Sequence, residues 1–394
     1  MKKGWEYKTL GEVGLFMSGY TPKKSELNSS SGTPYFKVSD MNRLENQLTM
    51  TYSELYVMTP KKIFPKGAIV FPKNGGAIYT EKKRFLSQDS VIDLNSEAIL
   101  SDDKFIIKEY LFYFLSSIKI SSFDNGGGLP SININRMKEC SIPLPNIDEQ
   151  RRIVSYLDSS FDLIDKIKEN ASKSLSEAKA LFQSALAEAM EPKEGWEEKT
   201  LGDCCDKING LWKGKKEPFI NVGVIRNANF TKHMTLDYTN IEYLDVEVKQ
   251  FNSRKLRKGD LIIEKSGGSE KQPVGRAVLF LKDDENYSFS NFTSVLRIKN
   301  KEELSYEFLY KYLLFIYVRG DTRSMQKATT GIHNLEFEKY LNIKIPIIPL
   351  DEQRCIVSRL DSLSSKVRAI EEKYQKMIAE CDALKQAMLR EVFE

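Results

Sequence analysis

Two long stretches of the chain, residues 148–190 and 351–394, carry apolar side chains at alternating spacings of four and three residues. In a helix this spacing places all of those side chains on one stripe, the pattern of a coiled-coil seam. Lys168 interrupts the first stripe, and the adjacent Ile167 is a possible substitute. The first stripe consists of Leu157, Phe161, Ile164, Ala171, Leu175, Ala178, Phe182, Ala185 and Ala189. The second consists of Ile356, Leu360, Leu363, Val367, Ile370, Tyr374, Met377, Cys381, Leu384 and Met388.

Helices of this length span about 60 Å, at 1.5 Å per residue, which is roughly twice the diameter of a domain. Each helix could pack on its own domain, but much of its stripe would then stay uncovered. We therefore expect the two helices to cover each other. Because the second helix begins where the second domain ends, connectivity predicts an antiparallel pair. It also predicts a pseudo-two-fold axis between the halves, with Glu394 returning near Met1.

Both helices begin after a proline-rich segment. Asp148 and Asp351 suit an N-cap or first-turn position, where a carboxylate meets unpaired N–H groups and the positive end of the helix dipole. Pro192 ends the first helix, and residues 191–194 link it to the second domain.

The chain contains an internal repeat. Residues 4–11 (GWEYKTLG) return as residues 195–202 (GWEEKTLG), and the segment 142–158 around Asp-Glu-Gln-Arg returns as residues 345–361 with one inserted residue. The match is closest at the start of each half and at its proline-rich hinge, while the middles differ. The chain length of 394 residues allows two domains plus connecting helices.

Each domain is predicted to be mixed α/β, because short β-rich runs such as residues 34–38 and 219–222 precede helical patterns such as residues 108–115 and 306–314. The predicted fold class is α+β: two similar domains joined by two long helices in an intramolecular antiparallel coiled coil. The predicted boundaries are a first domain at 1–147, a first helix at 148–190, a linker at 191–194, a second domain at 195–350 and a second helix at 351–394.

Composition narrows the class of protein. With 41% hydrophobic and 29% charged residues, and no apolar run long enough for a bilayer, the chain is expected to be globular. The N-terminus lacks the apolar stretch of a secretory signal, and five cysteines show no CxxC pair, so we expect a cytoplasmic protein. Two histidines leave little material for a metal site, and a net charge of +4 favours no partner.

Motifs for catalysis are missing from the sequence. It has no GxxxxGK[ST] phosphate loop and no Asn-Pro-Pro-aromatic tetrapeptide of amino-methyltransferases. The glycines 126–128 are interpreted as a flexible loop. Asp260 with Glu264 and Lys265 could imitate a nuclease site, but such groupings are frequent by chance in a charged chain. We therefore expect a non-catalytic chain with no cofactor and no metal of its own.

Basic residues alternate with glycines and amides in several loops. Lysine and arginine neutralise phosphates, glycine lets the backbone approach, and Asn, Gln or Arg can contact base edges, so these loops suit DNA. A solvated surface is the competing interpretation of any one cluster. The candidate DNA-binding residues are Lys61, Lys62, Lys73, Asn74, Gly75, Gly76, Lys82, Lys83, Arg84, Lys213, Lys215, Lys216, Arg254, Lys255, Arg257, Lys265, Ser266, Gly267, Lys271, Gln272, Arg323, Gln326 and Lys327.

The whole arrangement resembles the specificity subunits of type I restriction-modification systems. The resemblance is carried by the paired GWE-x-KTLG openings, by residues 19–22 (GYTP) with 34–40 (PYFKVSD), and by the two Ile-Pro…Asp-Glu-Gln-Arg hinges that each lead into a long helix. Residues 209–214 (NGLWKG) depart from the GYTP form, and residues 74–77 depart from the family's usual Ile-Gly ending. The loops are therefore candidates only.

The resemblance implies that each domain contacts one half of a split DNA sequence and that the helices set the unread spacer and dock partner subunits. The implied partners are double-stranded DNA, two modification subunits and two restriction subunits. S-adenosylmethionine, ATP and Mg would be bound by those partners. Three alternatives are a coiled-coil adaptor that binds proteins, a self-contained methyltransferase, and the specificity subunit of a methylation-only or other multisubunit restriction system.

Overall fold

The computed structural model describes residues 4–212, 214–284, 286–329 and 331–394 of the chain. The chain divides into two compact units. Unit 1 contains Met1–Ser172 and Gln375–Glu394, and unit 2 contains Lys173–Tyr374. Each long helix therefore contributes residues to both units, and Glu394 belongs to the same unit as the start of the chain. Met1, near which Glu394 was predicted to lie, is outside the described residues. No helix in the described ranges combines the length and the apolar character needed to cross a membrane.

Unit 1 contains three sheets. Their strand orders are β2-β10-β7-β8-β5, β3-β6-β4-β9 and β1-β11. The strands are β1 Glu6–Thr9, β2 Gly14–Ser18, β3 Leu27–Asn28, β4 Thr33–Phe36, β5 Thr49–Met50, β6 Tyr56–Val57, β7 Ile69–Pro72, β8 Arg84–Leu86, β9 Val91–Ile92, β10 Ser96–Ser101 and β11 Ser141–Leu144. The helices are α1 Leu10–Val13, α2 Lys108–Ser117, α3 Ile134–Lys138 and the long α4 Ile147–Met190.

Unit 2 contains four sheets, with strand orders β13-β20-β16-β18, β15-β14-β19, β17-β22-β21 and β12-β23. The strands are β12 Glu197–Thr200, β13 Cys205–Asn209, β14 Phe219–Ile225, β15 Glu242–Glu247, β16 Leu261–Glu264, β17 Ser266–Gly268, β18 Ala277–Leu279, β19 Tyr287–Phe289, β20 Thr293–Ile298, β21 Gln326–Thr329, β22 Ile332–Leu335 and β23 Lys344–Ile347. The helices are α5 Leu201–Cys204, α6 Val248–Arg254, α7 Tyr306–Arg319, α8 Phe337–Leu341 and the long α9 Leu350–Phe393.

The two units repeat the same frame. In unit 1 the opening strand β1 pairs with β11 of the hinge, and in unit 2 β12 pairs with β23 in the corresponding way. The main sheets also correspond, since the strand order β2-β10-β7-β8 in unit 1 matches β13-β20-β16-β18 in unit 2. The predicted mixed α/β domains and the internal repeat are confirmed.

A buried glutamine ties each long helix to its own unit. The side-chain oxygen of Gln150 accepts from the Ile107 N–H at 3.0 Å, and its Nε2 donates to the carbonyls of Phe105 and Pro145 at 2.8 and 2.9 Å. Both hinges place this glutamine one residue after the acidic pair. Asp148 and Asp351 lie in the first helical turns, as predicted, and Asn146 accepts from the Glu149 N–H.

In unit 2, Gln353 makes the same three contacts. Its oxygen accepts from the Ser305 N–H at 2.8 Å, and its Nε2 donates to the carbonyls of Glu303 and Ile348 at 2.7 and 2.8 Å. Both glutamines are completely buried. A small set of backbone groups in each unit therefore depends on one side chain of the helix, because buried polar groups must be hydrogen-bonded.

Within each unit the helix segments run antiparallel. In unit 1, Asp165 contacts Lys385 and Lys168 contacts Asp382, both at 2.6 Å, so a later residue of α4 meets an earlier residue of α9. In unit 2, Leu186 and Leu360 share the main apolar cluster, and Lys179 lies 3.8 Å from Glu371. The predicted antiparallel direction is confirmed inside each unit, while a coiled coil along the full length of both helices stays a prediction.

Most of the predicted seam faces inward. Leu157, Ile164, Leu360 and Val367 are buried. Half-buried seam positions are Phe161, Leu175, Phe182, Leu363 and Met377.

The seam prediction is wrong at Ile370 and Leu384, which are 39% and 51% exposed. The inward positions there are Glu371 and Lys385, one residue later. From Val367, the predicted stripe moves three residues to Ile370 and then four to Tyr374. The structure instead moves four residues to Glu371 and then three to Tyr374, which gives an equally regular helical stripe. Charged residues are tolerated because Glu371 is paired with Lys179 and because Lys385 lies over the Phe161 ring and bonds Asp165.

Ile167 does not replace Lys168 in the seam. Ile167 is exposed, whereas the Lys168 side chain is half-buried and bonded to Asp382. The charged residue keeps the seam position because its aliphatic stem packs and its ammonium group has a partner.

We predict that Leu360→Asp lowers the free energy of unfolding by about 3 kcal/mol or more, because an unpaired carboxylate enters an apolar cluster. The sequence pattern treats Ile370 as equivalent to Leu360, but the structure leaves it exposed. Ile370→Asp is therefore expected to cost less than about 1 kcal/mol. Urea unfolding of the two purified variants measures the difference, and equal losses would contradict the observed seam.

Replacing the buried glutamine of α9, Gln353→Ala, removes three hydrogen bonds and leaves the backbone groups that they satisfied without these partners. We expect a loss of roughly 2–4 kcal/mol in the free energy of unfolding. Its exposed neighbour provides the matched control, Glu352→Ala, which should change stability by less than about 0.5 kcal/mol. Urea unfolding is again the measurement. A Gln353→Ala chain as stable as the control would show that these three hydrogen bonds are dispensable.

Candidate DNA interface

The same turn follows the equivalent strand in both units. Lys73 follows β7 and Lys265 follows β16, and each is succeeded two residues later by a glycine. In unit 1, the Lys73 N–H donates to the Asn95 carbonyl at 2.6 Å, and the Lys73 carbonyl accepts from the Ile132 N–H at 2.9 Å. We name this segment, residues 73–76, the unit 1 turn.

The corresponding segment of unit 2, residues 265–268, is the unit 2 turn. Here the Lys265 N–H donates to the Phe292 carbonyl at 2.9 Å, and the Lys265 carbonyl accepts from the Leu335 N–H at 2.8 Å. The next residue also pairs in the same way, because Asn74 bridges Ser131 in unit 1 and Ser266 pairs with Asn334 in unit 2. Two chain segments that are distant in sequence are therefore joined by matching backbone bonds in both units.

A glycine is required in each turn by its backbone conformation. Gly75 has φ +76° and Gly267 has φ +106°, in the region that other residues rarely adopt. A Cβ built on Gly75 would meet no atom within 4 Å, so the backbone there is open to the close approach of another molecule, whereas the Asn227 side chain lies beside Gly267.

In unit 2 the turn is the edge strand of a small sheet. β17 pairs with β22, and β22 pairs with β21, so the two strands β21 and β22 form an antiparallel hairpin beside the turn. Polar side chains connect these strands: Ser266 Oγ donates to Asn334 Oδ1 at 2.5 Å, and Asn227 Nδ2 donates to the Ser266 carbonyl at 2.5 Å. The Asn227 Oδ1 atom is buried, and no described residue donates a hydrogen bond to it.

In unit 1 a loop, residues 124–131, occupies the position of the hairpin. Asp124 accepts from the Ser131 N–H at 3.0 Å, from the Gly126 N–H at 3.3 Å and from the Tyr79 hydroxyl at 2.7 Å. The Tyr79 bond, followed by the backbone bond from Ser131, lowers the pKa of Asp124 below its usual value. The glycines that suggested a flexible loop are thus held at one end by Asp124 and beside the turn by the Gly75 N–H bond to the Pro130 carbonyl.

The two turn lysines differ in their charge environment. Lys73 Nζ lies 3.2 Å from Glu97, which is almost completely buried, and donates to Ser18 Oγ at 2.9 Å. In the described ranges no carboxylate ion-pairs with Lys265. Burial lowers the pKa of Lys265, and repulsion from Lys207 adds to that effect. The positive charge of Lys73 is therefore balanced inside unit 1, whereas that of Lys265 has no such partner among the described residues of unit 2.

In unit 2 several other candidates cluster around the turn. Val274 N–H donates to Gln326 Oε1 at 3.3 Å, and Arg323 donates to the Glu270 carbonyl at 3.0 Å. These contacts join the segment after the turn to the start of the hairpin. The cluster contains Lys265, Ser266, Gly267, Lys271, Gln272, Arg323, Gln326 and Lys327.

Other candidates of unit 2 lie elsewhere. Arg254 ends α6, Lys255 follows it, and Arg257 donates its backbone N–H to Asp260 at 2.8 Å. Lys215 and Lys216 are exposed in the loop after β13. Lys213 lies outside the described residues.

In unit 1 the structure corrects the run Lys82, Lys83 and Arg84. Lys83 is buried and donates to the Ile118 carbonyl at 3.2 Å, with Glu81 at 3.3 Å, and burial lowers its pKa. Arg84 donates to the carbonyls of Asn46 and Lys83. Lys83 is therefore a structural residue and not a phosphate contact, because its ammonium group is used inside the unit.

The remaining unit 1 candidates keep some exposure. Lys82 donates to Asn42 Oδ1, Lys62 donates to the Ser18 carbonyl at 2.9 Å, and the exposed Lys61 lies 4.0 Å from Glu26. Asn74, Gly75 and Gly76 form the unit 1 turn. Lys62 and Lys73 both donate to Ser18, whereas Lys82 donates to Asn42.

Sequence reasoning missed Asn227, Asn334 and the contact of the loop 124–131 with the unit 1 turn. The internal repeat contains a signal for that contact, because the loop precedes the first hinge and the hairpin precedes the second.

The acidic residues near Lys265 are structural. Glu264 is bound by Arg276 at 2.7 and 2.9 Å, and Asp260 by Arg297 at 2.7 Å, and both carboxylates are buried. No group of three or more metal-ligating side chains occurs among the residues described.

Comparison with known proteins identifies relatives of the whole chain. It is 22% identical over 421 aligned positions to the specificity subunit of the type I restriction enzyme StySPI of Salmonella potsdam, covering 100% of this chain and 89% of that protein. It is 21% identical to the EcoKI specificity subunit of Escherichia coli K12, with coverage of 100% and 89%.

Solved structures share the fold. A chain from a structural study of complex assembly and conformational transition of the type I restriction-modification system superposes with a TM-score of 0.75 at 21% identity, covering 99% of this chain and 97% of that one. The HsdS subunit of Thermoanaerobacter tengcongensis superposes with a TM-score of 0.56 at 21% identity, with coverage of 100% and 97%.

The family description that matches is the type I restriction modification DNA specificity domain, which matches twice, at residues 2–176 and 193–379. Each match includes one turn and its neighbouring loop or hairpin. The chain therefore belongs to the type I restriction-modification DNA specificity family.

Proposed function

We propose that this chain selects the DNA sequence on which a type I restriction-modification complex acts, and that each unit contacts one half of a bipartite site. The observation that carries the proposal is the turn that is built twice, at Lys73 and Lys265, by the same backbone bonds but with different side chains around it. One backbone frame can thus present two different sets of polar groups, as two unlike half-sites require.

The cations and the amides of this surface suit different parts of a DNA duplex. Exposed cations such as Lys327 and Arg323 suit phosphates, which fix position but carry no sequence information. Asn227 and Asn334 are half-buried amides that both bond Ser266, and the half-buried Gln326 accepts from the Val274 N–H. This placement suits base edges, because neighbouring bonds fix the orientation of the amides.

We infer that the chain supplies recognition and no catalysis. Support comes from Asp260 and Glu264, the acidic groups that could have imitated a nuclease site, which are each held by an arginine in a buried ion pair. S-adenosylmethionine, ATP and Mg would accordingly be bound by partner subunits. We propose two modification and two restriction subunits as those partners, in the cytoplasm.

The long helices are proposed to set the unread spacer and to dock the modification subunits. Both helices are continuous over 44 residues. Large apolar residues remain exposed on them: Tyr156, Leu163, Ile167 and Leu384 in unit 1, and Leu181 and Ile370 in unit 2. An apolar stripe in addition to the inward seam is what a helix of a partner subunit could cover.

Exchanging residues 195–344 for those of another member of this family should change one half of the methylated sequence and leave the other half intact. Each turn is built within its own unit, so the half-sites are expected to be independent. Mapping of adenine methylation in cells that carry the modification subunits is the measurement. The reciprocal control exchanges residues 4–141 and should change the other half. A change in both halves from either exchange would contradict independent reading.

The two turn lysines provide a test of the surface. Lys265→Gln should weaken binding of the specific duplex and reduce the slope of log K against log salt by about one, because a phosphate contact is lost. Lys73→Gln should leave the slope unchanged, since Glu97 already neutralises Lys73. It should instead lower the free energy of unfolding by about 3 kcal/mol, because a buried carboxylate loses its partner.

Fluorescence anisotropy of the complex with its modification subunits, over a salt series, gives the slopes, and urea unfolding of the chain gives the stabilities. If Lys73→Gln reduced the slope as much as Lys265→Gln does, the assigned difference in charge environment would be wrong.

A further inference from the structure

A large aliphatic residue is exposed at the same place in both units. Leu129, in the loop 124–131, is 73% exposed, and Ile332, at the start of β22, is 50% exposed. The two positions correspond because each lies two residues before the residue that pairs with its turn: Ser131 pairs with Asn74, and Asn334 pairs with Ser266.

The backbone around both residues is open. Gly128 precedes Leu129 and Gly331 precedes Ile332. A Cβ built on either glycine would meet no atom within 4 Å, and Gly331 has φ +83°. Each aliphatic side chain therefore follows a glycine whose own surroundings are open among the described residues.

Polar groups surround both positions. The Leu129 loop is held by Asp124 and Asn125, which bond the Ser131 N–H and Oγ at 3.0 and 3.1 Å. The Ile332 strand carries His333 and Asn334 and pairs with the strand of Lys327. Single exposed apolar residues are common on protein surfaces. Here the exposure recurs at matched positions, although the residues around it differ between the units.

A DNA base edge offers one apolar group in the major groove, the C5-methyl of thymine. Apart from ring C–H groups, which offer less apolar surface than a methyl group, the other base-edge groups there are hydrogen-bond donors and acceptors, which a leucine or isoleucine side chain cannot satisfy. The chemical class of contact available to Leu129 and Ile332 beside the two turns is therefore a methyl group in an otherwise polar surface.

We propose that Leu129 and Ile332 are specificity-determining residues, each packing against the C5-methyl group of a thymine in the half-site of its own unit. This inference rests on the proposed function, since it assumes that the two turns face DNA. It assigns thymine to one position of each half-site, which the basic residues alone do not do.

The test uses the complex of the full chain with its modification subunits. Methylation mapping first gives the bipartite site. Duplexes are then made in which each thymine of that site is replaced, one at a time, by deoxyuridine, which lacks only the methyl group. Loss of one buried methyl corresponds to about fourfold weaker binding, or about 0.8 kcal/mol.

With the unchanged chain, one deoxyuridine position in each half should weaken binding about fourfold. Leu129→Ala should abolish that effect in one half and leave it in the other, and Ile332→Ala should do the reverse. Leu15 and Leu281 are comparably exposed but lie outside the turns and their neighbouring loops. The control variants Leu15→Ala and Leu281→Ala should keep both effects.

Equal thymine-to-deoxyuridine ratios for the unchanged chain and Leu129→Ala overturn the assignment for unit 1, and the same outcome with Ile332→Ala overturns it for unit 2. A half-site without thymine on either strand also overturns it for the unit that reads that half. Weaker binding by Leu129→Ala that is independent of the methyl group identifies a wedge between bases instead. If no split motif is methylated at all, the proposed function itself fails.

Discussion

The structure depends on a buried glutamine at the start of each long helix. Gln150 and Gln353 each satisfy one N–H and two carbonyls of their own unit, at distances between 2.7 and 3.0 Å. The N–H belongs to the residue immediately before α2 in unit 1 and before α7 in unit 2. The glutamine thereby joins the start of a long helix to the start of a shorter helix of the same unit. Apolar contacts reinforce this join, since Leu157 shares a cluster with Leu111 in unit 1 and Leu360 shares one with Leu309 in unit 2.

The sequence predicted the elements that depend on periodicity and repetition. Two long helices, two mixed α/β domains and an antiparallel direction inside each unit all follow from spacing and chain connectivity. The errors at Ile370, Leu384 and Ile167 have one physical cause. A pattern of apolar residues counts Glu371, Lys385 and Lys168 as polar, but their aliphatic stems pack inward and their charged groups meet partners. The stripe that the structure uses gives each of these charged groups a partner, and the apolar pattern contains no information on such pairs.

The candidate interface was predictable in part. Lys265 and its neighbours form one cluster because the hairpin of β21 and β22 lies beside the turn, which brings together two separate basic segments of the sequence. The run at Lys83 and Arg84 was misleading. A lysine or arginine in a loop gives no indication of whether its charge is used inside the unit, and Lys83 and Lys73 both contact internal acids. Asn227 lies far from either segment in sequence, and only the fold places it against Ser266.

The two copies of the repeat share the backbone bonds of the turn but differ in the side chains around it. The bonds that position each turn are made by backbone groups, so they survive when almost every side chain around them is replaced. The charge of the turn lysine, by contrast, depends on a side chain: the residue that balances Lys73 is Glu97, and unit 2 places Ser294 at the matching position of β20. One unit thus pairs its lysine with a buried carboxylate, whereas the lysine of the other has no ion-pair partner among the described residues. Because the backbone bonds that position each turn need no particular side chain beyond the turn glycine, the side chains around a turn can change while those bonds are kept.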